Sequence, residues 1–493
     1  MRKCGILLPI SCIPSRYGIG SFSKEAYRFI DFLYESGQTY WQILPLGPTG
    51  YGDSPYQSFS TFAGNPYYID LDTLVEKGYL TKKDCDAYDF GGADDKIDYE
   101  KIYLARFKIL YQAYENSDIQ NDPEFREYII KNSFWLEDYA LYMAVKDSYE
   151  GKSFIEWEED IKKREPDAMC AYKEKYARKI AYYQFLQYEF SLQWSRLKQY
   201  ANKKHVGIIG DIPIYVAFDS ADTWASPELF QLDSQLRPIA VAGCPPDAFS
   251  ETGQLWGNPL YHWPFHKKTN YAWWMLRMAY SFERYDVVRI DHFRGFDEYY
   301  AIPYGSLTAE NGKWEAGPGY ELFNKMQETI GDKSVIAEDL GILTNSVFEL
   351  VKKTGFPGMK ILQFAFDSSE ESMYLPHNYE KNSIVYTGTH DNDTTLGWYG
   401  KLNEHDKNFA KEYLNIQNDT SPPDIVWSFI RAALSSVSDV AIIPMQDYLE
   451  LNENSRINMP STLGDNWKWR MKSTDMSSYL AEKIKRMTKI YGR

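Results

Sequence analysis

The sequence predicts a (β/α)8 barrel, a closed sheet of eight parallel strands surrounded by helices. Eight short apolar runs recur along the 493-residue chain, and most of them end in a polar or charged residue. Segments with helical periodicity, such as 24–36 and 424–435, separate several of these runs. Near-continuous apolar strands alternating with helices are typical of parallel sheets buried on both faces, and eight of them favour a barrel.

Each predicted strand is justified by its own apolar run. In chain order the runs are 5–10 (GILLPI), 40–46 (YWQILPL), 206–212 (VGIIGDI), 286–291 (DVVRID), 335–338 (VIAE), 359–364 (MKILQF), 384–390 (IVYTGTH) and 440–447 (VAIIPMQD). The first run follows Arg2 and Lys3, as the apolar part of a signal peptide would. It is short, contains Pro9 and precedes no convincing small-residue cleavage site, so we expect a strand there.

The uneven spacing of the runs predicts large insertions into one domain. We expect a single catalytic barrel over 1–493, with a mainly helical subdomain at about 47–205 and substrate-binding loops at about 213–285, after the second and third strands. The aromatic stripe in YYQFLQYEFSLQWSRLKQY lies in the helical part, where core packing explains it. The alternative is a doubly wound sheet with a nucleotide, but no G-x-G-x-x-G or Walker loop follows the first strand.

Composition narrows the class of ligand. The chain has 41 Tyr, 26 Phe and 14 Trp, far more ring surface than packing alone requires, and exposed rings stack on the apolar faces of sugars and bases. The formal net charge of −15 repels polyphosphates and leaves a neutral carbohydrate unaffected. We therefore expect a sugar ligand and no nucleic acid.

Cysteine usage and hydropathy predict the compartment. The five cysteines are odd in number, mostly far apart and without a C-x-x-C pair, which argues against a disulfide framework or a zinc site. No stretch approaches the roughly twenty apolar residues that a membrane span needs. We therefore expect a cytoplasmic protein with no membrane contact.

Acidic residues collect where four of the predicted strands end. Chemistry in such barrels takes place at the C-terminal ends of the strands. Taken singly, each of these acids is better explained as a cap at a strand-to-helix junction, but four strands with an acid at the same end favour a site. The residues concerned are Asp211, Asp291, Glu338 with Asp339, and His390 with Asp391.

The pairing of Arg289 with Asp291 predicts different ionisation states for the carboxyl groups of Asp291 and Glu338. Strand alternation points both side chains to the same face, and a nearby guanidinium favours an ionised carboxylate. Glu338 follows three apolar residues and has no such neighbour in its run, so burial would raise its pKa. One ionised and one protonated carboxyl group suit glycoside chemistry, and Asp391 would then bind sugar hydroxyls.

Two other site chemistries are less well supported. His262 and His266 form an H-x-x-x-H pair, but Pro264 disfavours the helix that would aim both rings at one metal ion, and the Glu of H-E-x-x-H is absent. The spacing of His292, His390 and the acids matches no metal-ligand motif. A nucleophilic serine is disfavoured because no G-x-S-x-G elbow is present. We expect no metal and no organic cofactor.

Five motifs together resemble the 4-α-glucanotransferase family, known as amylomaltase or disproportionating enzyme, of the α-amylase clan. They are GYGDSPYQSFSTFAGNPY, CPPDAFSETGQLWGNPLY, VVRIDHFRGF, VIAEDLG and TGTHDNDT. The resemblance runs from the first strand to WKWR near Trp467, and several motifs are long and specific. It implies a barrel that uses three acids.

The resemblance implies a role for each matching residue. Asp291 would be the nucleophile, Glu338 the general acid and base, and Asp391 the stabiliser of the oxocarbenium-like transition state. Arg289 would orient Asp291. The substrate-binding residues that it implies are Ser54 and Tyr56 beside the scissile bond, His390 around the distorted sugar, and Phe249 and Trp256 on the acceptor side. Asp211 would either hold the site together or touch the same sugar.

The implied activity is transfer of α-1,4-glucan segments from a donor to an acceptor, which is glucose or a maltooligosaccharide. One departure from the family pattern is Ala248, where some members carry an aromatic residue, and it is expected to loosen the grip on long glucans. Two alternatives remain: hydrolysis by an enzyme of the α-amylase type, in which water replaces the acceptor, and a silent glucan-binding module. The second predicts the loss of an acid, and all three acids are present.

Overall fold

The computed structural model of the chain describes residues 2–50, 52–246, 250–341, 343–368, 371–462 and 464–493. Its strands are β1 (Lys3–Leu7), β2 (Tyr40–Gln42), β3 (Gly207–Pro213), β4 (Ala240–Cys244), β5 (Gln254–Pro259), β6 (Val287–Asp291), β7 (Glu298–Pro303), β8 (Lys313–Ala316), β9 (Val335–Ala337), β10 (Gly358–Ile361), β11 (Ser383–Tyr386) and β12 (Val440–Pro444).

The α-helices cover the barrel and build the insertions. They are α1 (Lys24–Glu35), α2 (Leu71–Glu76), α3 (Lys82–Asp86), α4 (Tyr99–Asn116), α5 (Pro123–Lys131), α6 (Ser133–Ser148), α7 (Glu159–Lys162), α8 (Pro166–Lys175), α9 (Ala177–Lys203), α10 (Ala221–Ala225), α11 (Trp263–Lys268), α12 (Ala272–Arg284), α13 (Tyr320–Ile330), α14 (Asn345–Thr354), α15 (Thr395–Lys401), α16 (Glu404–Leu414), α17 (Pro422–Ser435), α18 (Met445–Tyr448) and α19 (Ser478–Ile490).

Eight parallel strands form a nearly closed barrel, which confirms the predicted fold class. Their order around the sheet is β10, β11, β12, β1, β2, β3, β6 and β9. Two hydrogen bonds cross the seam between β9 and β10. The N–H of Ala337 donates to the carbonyl of Pro357 at 3.0 Å, and the N–H of Met359 donates to the carboxylate of Asp339 at 2.7 Å. Each predicted run contains or overlaps one strand of the barrel.

Six strands of the barrel end earlier than the sequence predicts, and they are β1, β2, β9, β10, β11 and β12. β9 ends at Ala337 and β11 at Tyr386, so Glu338 and His390 lie in the loops that follow. The backbone of Glu338 still bonds to the neighbouring strand β6, but its carboxylate turns back to accept backbone N–H groups. Side-chain hydrogen bonds therefore shape these loops where ladder pairing stops.

The helical insertion has its own aromatic core. Helices α4 to α9 occupy most of the insertion, and α9 extends over 27 residues. Tyr182, Phe185 and Trp194 of α9 are buried, which confirms that the aromatic stripe packs in a core. The buried amide of Gln187 bonds to both the N–H (2.7 Å) and the carbonyl (2.9 Å) of Gly64. Helix α9 thereby holds the loop that follows β2.

A second, antiparallel sheet has the strand order β5, β4, β7 and β8. β4 and β5 lie in the 213–285 segment, which the sequence predicts only as substrate-binding loops, whereas β7 and β8 follow the fourth barrel strand. In the part of the chain that the structure describes, no helix is both long and apolar enough to cross a membrane.

Candidate active site

Four strands of the barrel place charged side chains at one end of the sheet. Asp211 lies on β3, Arg289 and Asp291 lie on β6, Glu338 follows β9, and Asp391 lies in the loop after β11. Two of these residues lie side by side in the sheet, because Asp211 on β3 pairs with Arg289 on β6. The predicted acids are thus at the C-terminal ends of neighbouring or nearby strands, where barrel enzymes carry out their chemistry.

Arg289 bridges two carboxylates. Its Nη1 donates to both oxygens of Asp211, at 2.8 and 2.7 Å, and its Nη2 lies 3.0 Å from Oδ1 of Asp291. Only 3% of the Arg289 side chain and none of the Asp211 side chain is exposed, compared with 27% of Asp291. The contact with Asp291 is the one that strand alternation predicts. The sequence did not predict the hydrogen bonds with Asp211, which fix the position of the guanidinium.

The carboxylate of Glu338 is held next to Asp291 by backbone donors. Oε2 accepts the N–H of His292 at 2.7 Å, and Oε1 accepts the N–H of Leu340 at 2.8 Å. His292 has a left-handed backbone conformation, with φ of 53°, which is uncommon for a residue other than glycine. The residue that follows Asp291 therefore aims its N–H at the second acid.

Burial raises the pKa of both acids of this pair. Burial raises the pKa of Glu338 to about 7, and the charge of Asp291 adds to the shift. Burial also raises the pKa of Asp291 to about 6, although Arg289 opposes it. Arg289 favours the ionised form of Asp291, as the sequence predicts, but the effect of burial on the pKa is larger. The order of the two values is the expected one, with Glu338 the weaker acid.

Asp391 and His390 form a charged pair on the opposite side of the site. Nε2 of His390 lies 3.3 Å from Oδ2 of Asp391. Burial favours the neutral form of each group, but their mutual attraction outweighs it. The pKa of Asp391 is lowered to about 2, helped by a hydrogen bond from Asn458, and the pKa of His390 is raised. Asp391 therefore stays ionised at neutral pH.

Tyr56 connects the two sides of the site. Its hydroxyl donates to Oδ2 of Asp211 at 2.7 Å and lies 2.8 Å from Nε2 of His390, from which it accepts. Its ring stacks on the imidazole of His390, with centroids 5.3 Å apart and planes 12° apart. The side chain of Ser54 accepts the N–H of Tyr56 at 3.3 Å, so Ser54 shapes the turn that presents the ring.

Trp256 lies beside His292, the residue that follows β6. Its indole meets the ring of His292 edge to face, with centroids 4.8 Å apart, and its Nε1 donates to Gln254 at 3.1 Å. This contact places Trp256 next to the residue that follows Asp291, and its role on the acceptor side stays a prediction. Phe249, predicted to line the same side, and Ala248 lie outside the described residues.

The sequence did not point to three residues that complete the site. Asn458 donates to Oδ1 of Asp391 at 2.6 Å, and Nη2 of Arg456 donates to the backbone carbonyl of Asp391 at 2.6 Å. The ring of Trp467 lies 6.1 Å from the rings of both Tyr56 and His390. All three come from loops after β12, where no strand end or spacing marks them, and only WKWR around Trp467 contributed to the family resemblance.

The described residues hold no group of three or more His, Cys, Asp or Glu side chains arranged to bind a metal ion. One detail of the sequence prediction was wrong. Pro264 does not prevent a helix, because it occupies the first turn of α11, where its missing N–H costs nothing. His266 of that helix is fully buried, and its Nε2 contacts the carbonyl of Leu229 at 3.1 Å.

A family model described as 4-alpha-glucanotransferase matches residues 8–476. The chain belongs to the 4-alpha-glucanotransferase family. This membership confirms the resemblance carried by the five motifs, and it favours a transferase over a hydrolase.

Relatives in the 4-alpha-glucanotransferase family match along nearly the whole chain. A 4-alpha-glucanotransferase from Clostridium butyricum is 52% identical over 98% of this chain and 99% of its own. One from Streptococcus pneumoniae is 49% identical over 100% of this chain and 97% of its own. The solved structure of an amylomaltase from Streptococcus agalactiae, in complex with acarbose, is 41% identical and has a TM-score of 0.97 over all of both chains.

Proposed function

We propose that the protein transfers segments of α-1,4-linked glucans from a donor to an acceptor glucan, with retention of the linkage. The observation that carries this proposal is the joined pair of Asp291 and Glu338. The carboxylate of Glu338 accepts the N–H of the residue after Asp291, and burial makes Glu338 the weaker acid. Two adjacent carboxyl groups, of which one lies beside a guanidinium and the other does not, suit a nucleophile and a general acid.

In the first step a carboxylate oxygen of Asp291 bonds to C1 of the donor sugar. The bond from C1 to the departing 4-oxygen breaks, and that oxygen takes the proton of Glu338. The product is a glycosyl ester on Asp291 and an ionised Glu338. We expect about 5 to 5.5 Å between the two carboxyl groups, the separation that retaining enzymes use.

In the second step Glu338 acts as a base. It takes the proton of the 4-hydroxyl of the acceptor, whose oxygen bonds to C1 while the ester to Asp291 breaks. The chain segment has then moved to a new glucan, and both acids return to their starting states. Glucose or a maltooligosaccharide serves as the acceptor.

The surrounding side chains hold the reacting sugar. Asp391 is ionised and faces the site, so it suits hydrogen bonds to sugar hydroxyls as the ring flattens and positive charge develops. His390 and Tyr56 form the adjoining wall with Asp211 behind them. Arg289 orients Asp291 as its ester forms and breaks.

The acceptor side decides between transfer and hydrolysis. Water is abundant, so transfer requires that binding energy on rings such as Trp256 and Phe249 favours a sugar over water in the second step. The names of the relatives support the transferase. The proposed reaction uses no metal or cofactor. We propose a cytoplasmic location, supported by the lack of a disulfide bond among the five cysteines, all of which lie in the described part of the chain.

The proposal is tested by incubating the protein with maltotriose and separating the products by chromatography. We expect glucose together with maltooligosaccharides longer than maltotriose, and a constant total of reducing ends. The Asp291→Asn variant serves as the control and should form neither product. A rise in reducing ends with only maltose and glucose formed would identify a hydrolase instead.

A further inference from the structure

Asp447 is a buried carboxylate outside the proposed site. It lies at the end of β12, in α18, and only 1% of the residue is exposed. Oδ2 accepts the hydroxyl of Thr387 at 2.5 Å and the hydroxyl of Thr395 at 2.7 Å, and Oδ1 accepts the N–H of Thr395 at 2.8 Å. One side chain thus binds both ends of the segment 387–395.

That segment contains His390 and Asp391, and further hydrogen bonds hold the residues between its two ends. The side chain of Asn392 accepts both the N–H and the hydroxyl of Thr389, at 2.9 and 2.8 Å. The amide of Gln363 donates to the carbonyl of Asp393 at 2.9 Å. The loop therefore behaves as a compact unit whose placement depends on where its two ends are held.

Asp391 is also held by a second segment, the loop that follows α18. Arg456 and Asn458 in this segment donate to the backbone carbonyl and the carboxylate of Asp391. Just beyond the first segment, Gly397 of α15 lies close to the second, because an added Cβ there would lie 2.8 Å from the Cβ of Glu453. Asp447 thus connects the segment 387–395, which contains Asp391, with the loop after α18, which bonds to Asp391.

The hydrogen bonds of Asp447 serve the geometry of segment 387–395 more than they serve the stability of the fold. Among the described residues no lysine or arginine forms an ion pair with Asp447, and the charge of Asp393, itself paired with Lys401, contributes to raising the pKa of Asp447. A buried carboxylate without a cation is costly, and apolar side chains of similar size often serve stability equally well. Three hydrogen bonds of defined direction fix the geometry of the segment more narrowly than apolar packing would.

We propose that Asp447 is a positioning residue, which sets the carboxylate of Asp391 in the active site by tying both ends of segment 387–395 to the loop after β12. This inference rests on the proposed role of Asp391. Asp447 touches no reacting atom. It acts through the placement of Asp391.

The test removes the hydroxyls that Asp447 binds and keeps the side-chain shape. In the double variant Thr387→Val with Thr395→Val, we expect kcat for maltotriose to fall about 10- to 100-fold, because a displacement of about 1 Å has effects of this size. We expect KM to change less than about twofold. Thr488→Val is the matched control, since it removes a buried hydroxyl bond in α19 and should leave kcat unchanged.

Two further measurements separate positioning from a general loss of structure. Affinity for acarbose should fall in parallel with kcat, although the melting temperature of the variant stays near that of the parent. In an Asp391→Asn background the same two valines should have less than about a twofold effect on residual activity, because groups that act through one residue are not additive. Equal losses in both backgrounds would overturn the proposal.

A crystal structure of the double variant keeps this inference separate from the proposed function. We expect the Asp391 carboxylate to move relative to Asp291. An unmoved Asp391 would overturn the positioning role, whatever reaction the protein catalyses. Asp447→Asn offers a milder variant if the double variant folds poorly, and an unmoved Asp391 with full activity there would count equally against the role.

Discussion

At Asp291 the cost of burying a carboxylate competes with the charge of Arg289. The guanidinium is shared with Asp211, which takes two of its hydrogen bonds, so its effect on Asp291 is divided. Burial consequently prevails and raises the pKa of Asp291 to about 6. The residue still ionises below the pKa of Glu338, and this order permits both roles at one pH.

The activity should have a bell-shaped dependence on pH. Asp291 must be ionised to attack, so kcat/KM falls as the pH decreases below about 6. Glu338 must be protonated to release the leaving group, so kcat/KM also falls as the pH increases above about 7. The two limbs belong to the interacting pair. Initial rates with maltotriose from pH 4 to pH 9 measure the profile, and a rate that keeps increasing up to pH 9 would contradict it.

The hydroxyl of Tyr56 should contribute to catalysis apart from its ring. Tyr56→Phe leaves Asp211 and His390 without this partner, and hydrogen bonds to charged groups contribute about 1.5–3 kcal/mol. We expect kcat/KM to fall about 10- to 100-fold. Tyr183→Phe is the control, because the buried Tyr183 also donates to a carboxylate, that of Asp147, within the helical insertion. Equal rates for Tyr56→Phe and the parent would show that only the ring matters.

At the scale of elements, helix α9 and the loop after β2 depend on each other. Gln187 gives this loop a donor and an acceptor at Gly64, and Gln193 accepts the N–H of Asp70 at 2.7 Å. The same loop contains Ser54 and Tyr56 nearer to β2. The helical insertion therefore supports the wall of the active site at a distance.

Gln187→Ala should destabilise the fold more than it affects catalysis. It leaves a buried backbone N–H and carbonyl of Gly64 unpaired, which costs about 1–3 kcal/mol. We expect the free energy of unfolding in urea to fall by about this amount, with kcat changed less than about threefold. Gln417→Ala, at an exposed glutamine, is the control. Lost activity at unchanged stability would contradict the supporting role.

The sequence predicts some elements better than others for physical reasons. The buried strands of the barrel are apolar runs, and α1 and α17 have clear helical periodicity, so both kinds of element could be recognised. β5 and β8 were missed because they are partly exposed and form no apolar run, whereas β4 and β7 were missed although they are mostly buried. Their pairing also spans the fourth barrel strand, so no local pattern marks it.

At the scale of the whole molecule, the sequence predicts which acids form the site but not most of the residues that hydrogen-bond to them or to their loops. Asp211, Asp291, Glu338 and Asp391 could be predicted because they stand at strand ends or in long motifs. Asn458, Arg456 and Asp447 could not be predicted, since their roles depend on contacts between loops far apart in the chain. Such contacts follow from tertiary packing, which no local sequence pattern records.

We expect the chain to unfold as one domain. The main core joins the barrel and the helical insertion, since Phe22 of the barrel side contacts both Phe190 and Trp194 of α9. Calorimetry should therefore give one transition, with equal calorimetric and van't Hoff enthalpies if unfolding is reversible. Two resolved transitions would separate the helical insertion at 47–205 as an independent unit.

The most direct test of the account is to trap the glycosyl ester. In Glu338→Gln the second step lacks its base, while a maltosyl fluoride donor needs no protonation of its leaving group, so the ester should accumulate. Digestion and mass spectrometry should then find one maltosyl unit on the peptide that contains Asp291. A label on another acid, or an unlabelled protein that releases inverted maltose, would contradict the proposed mechanism.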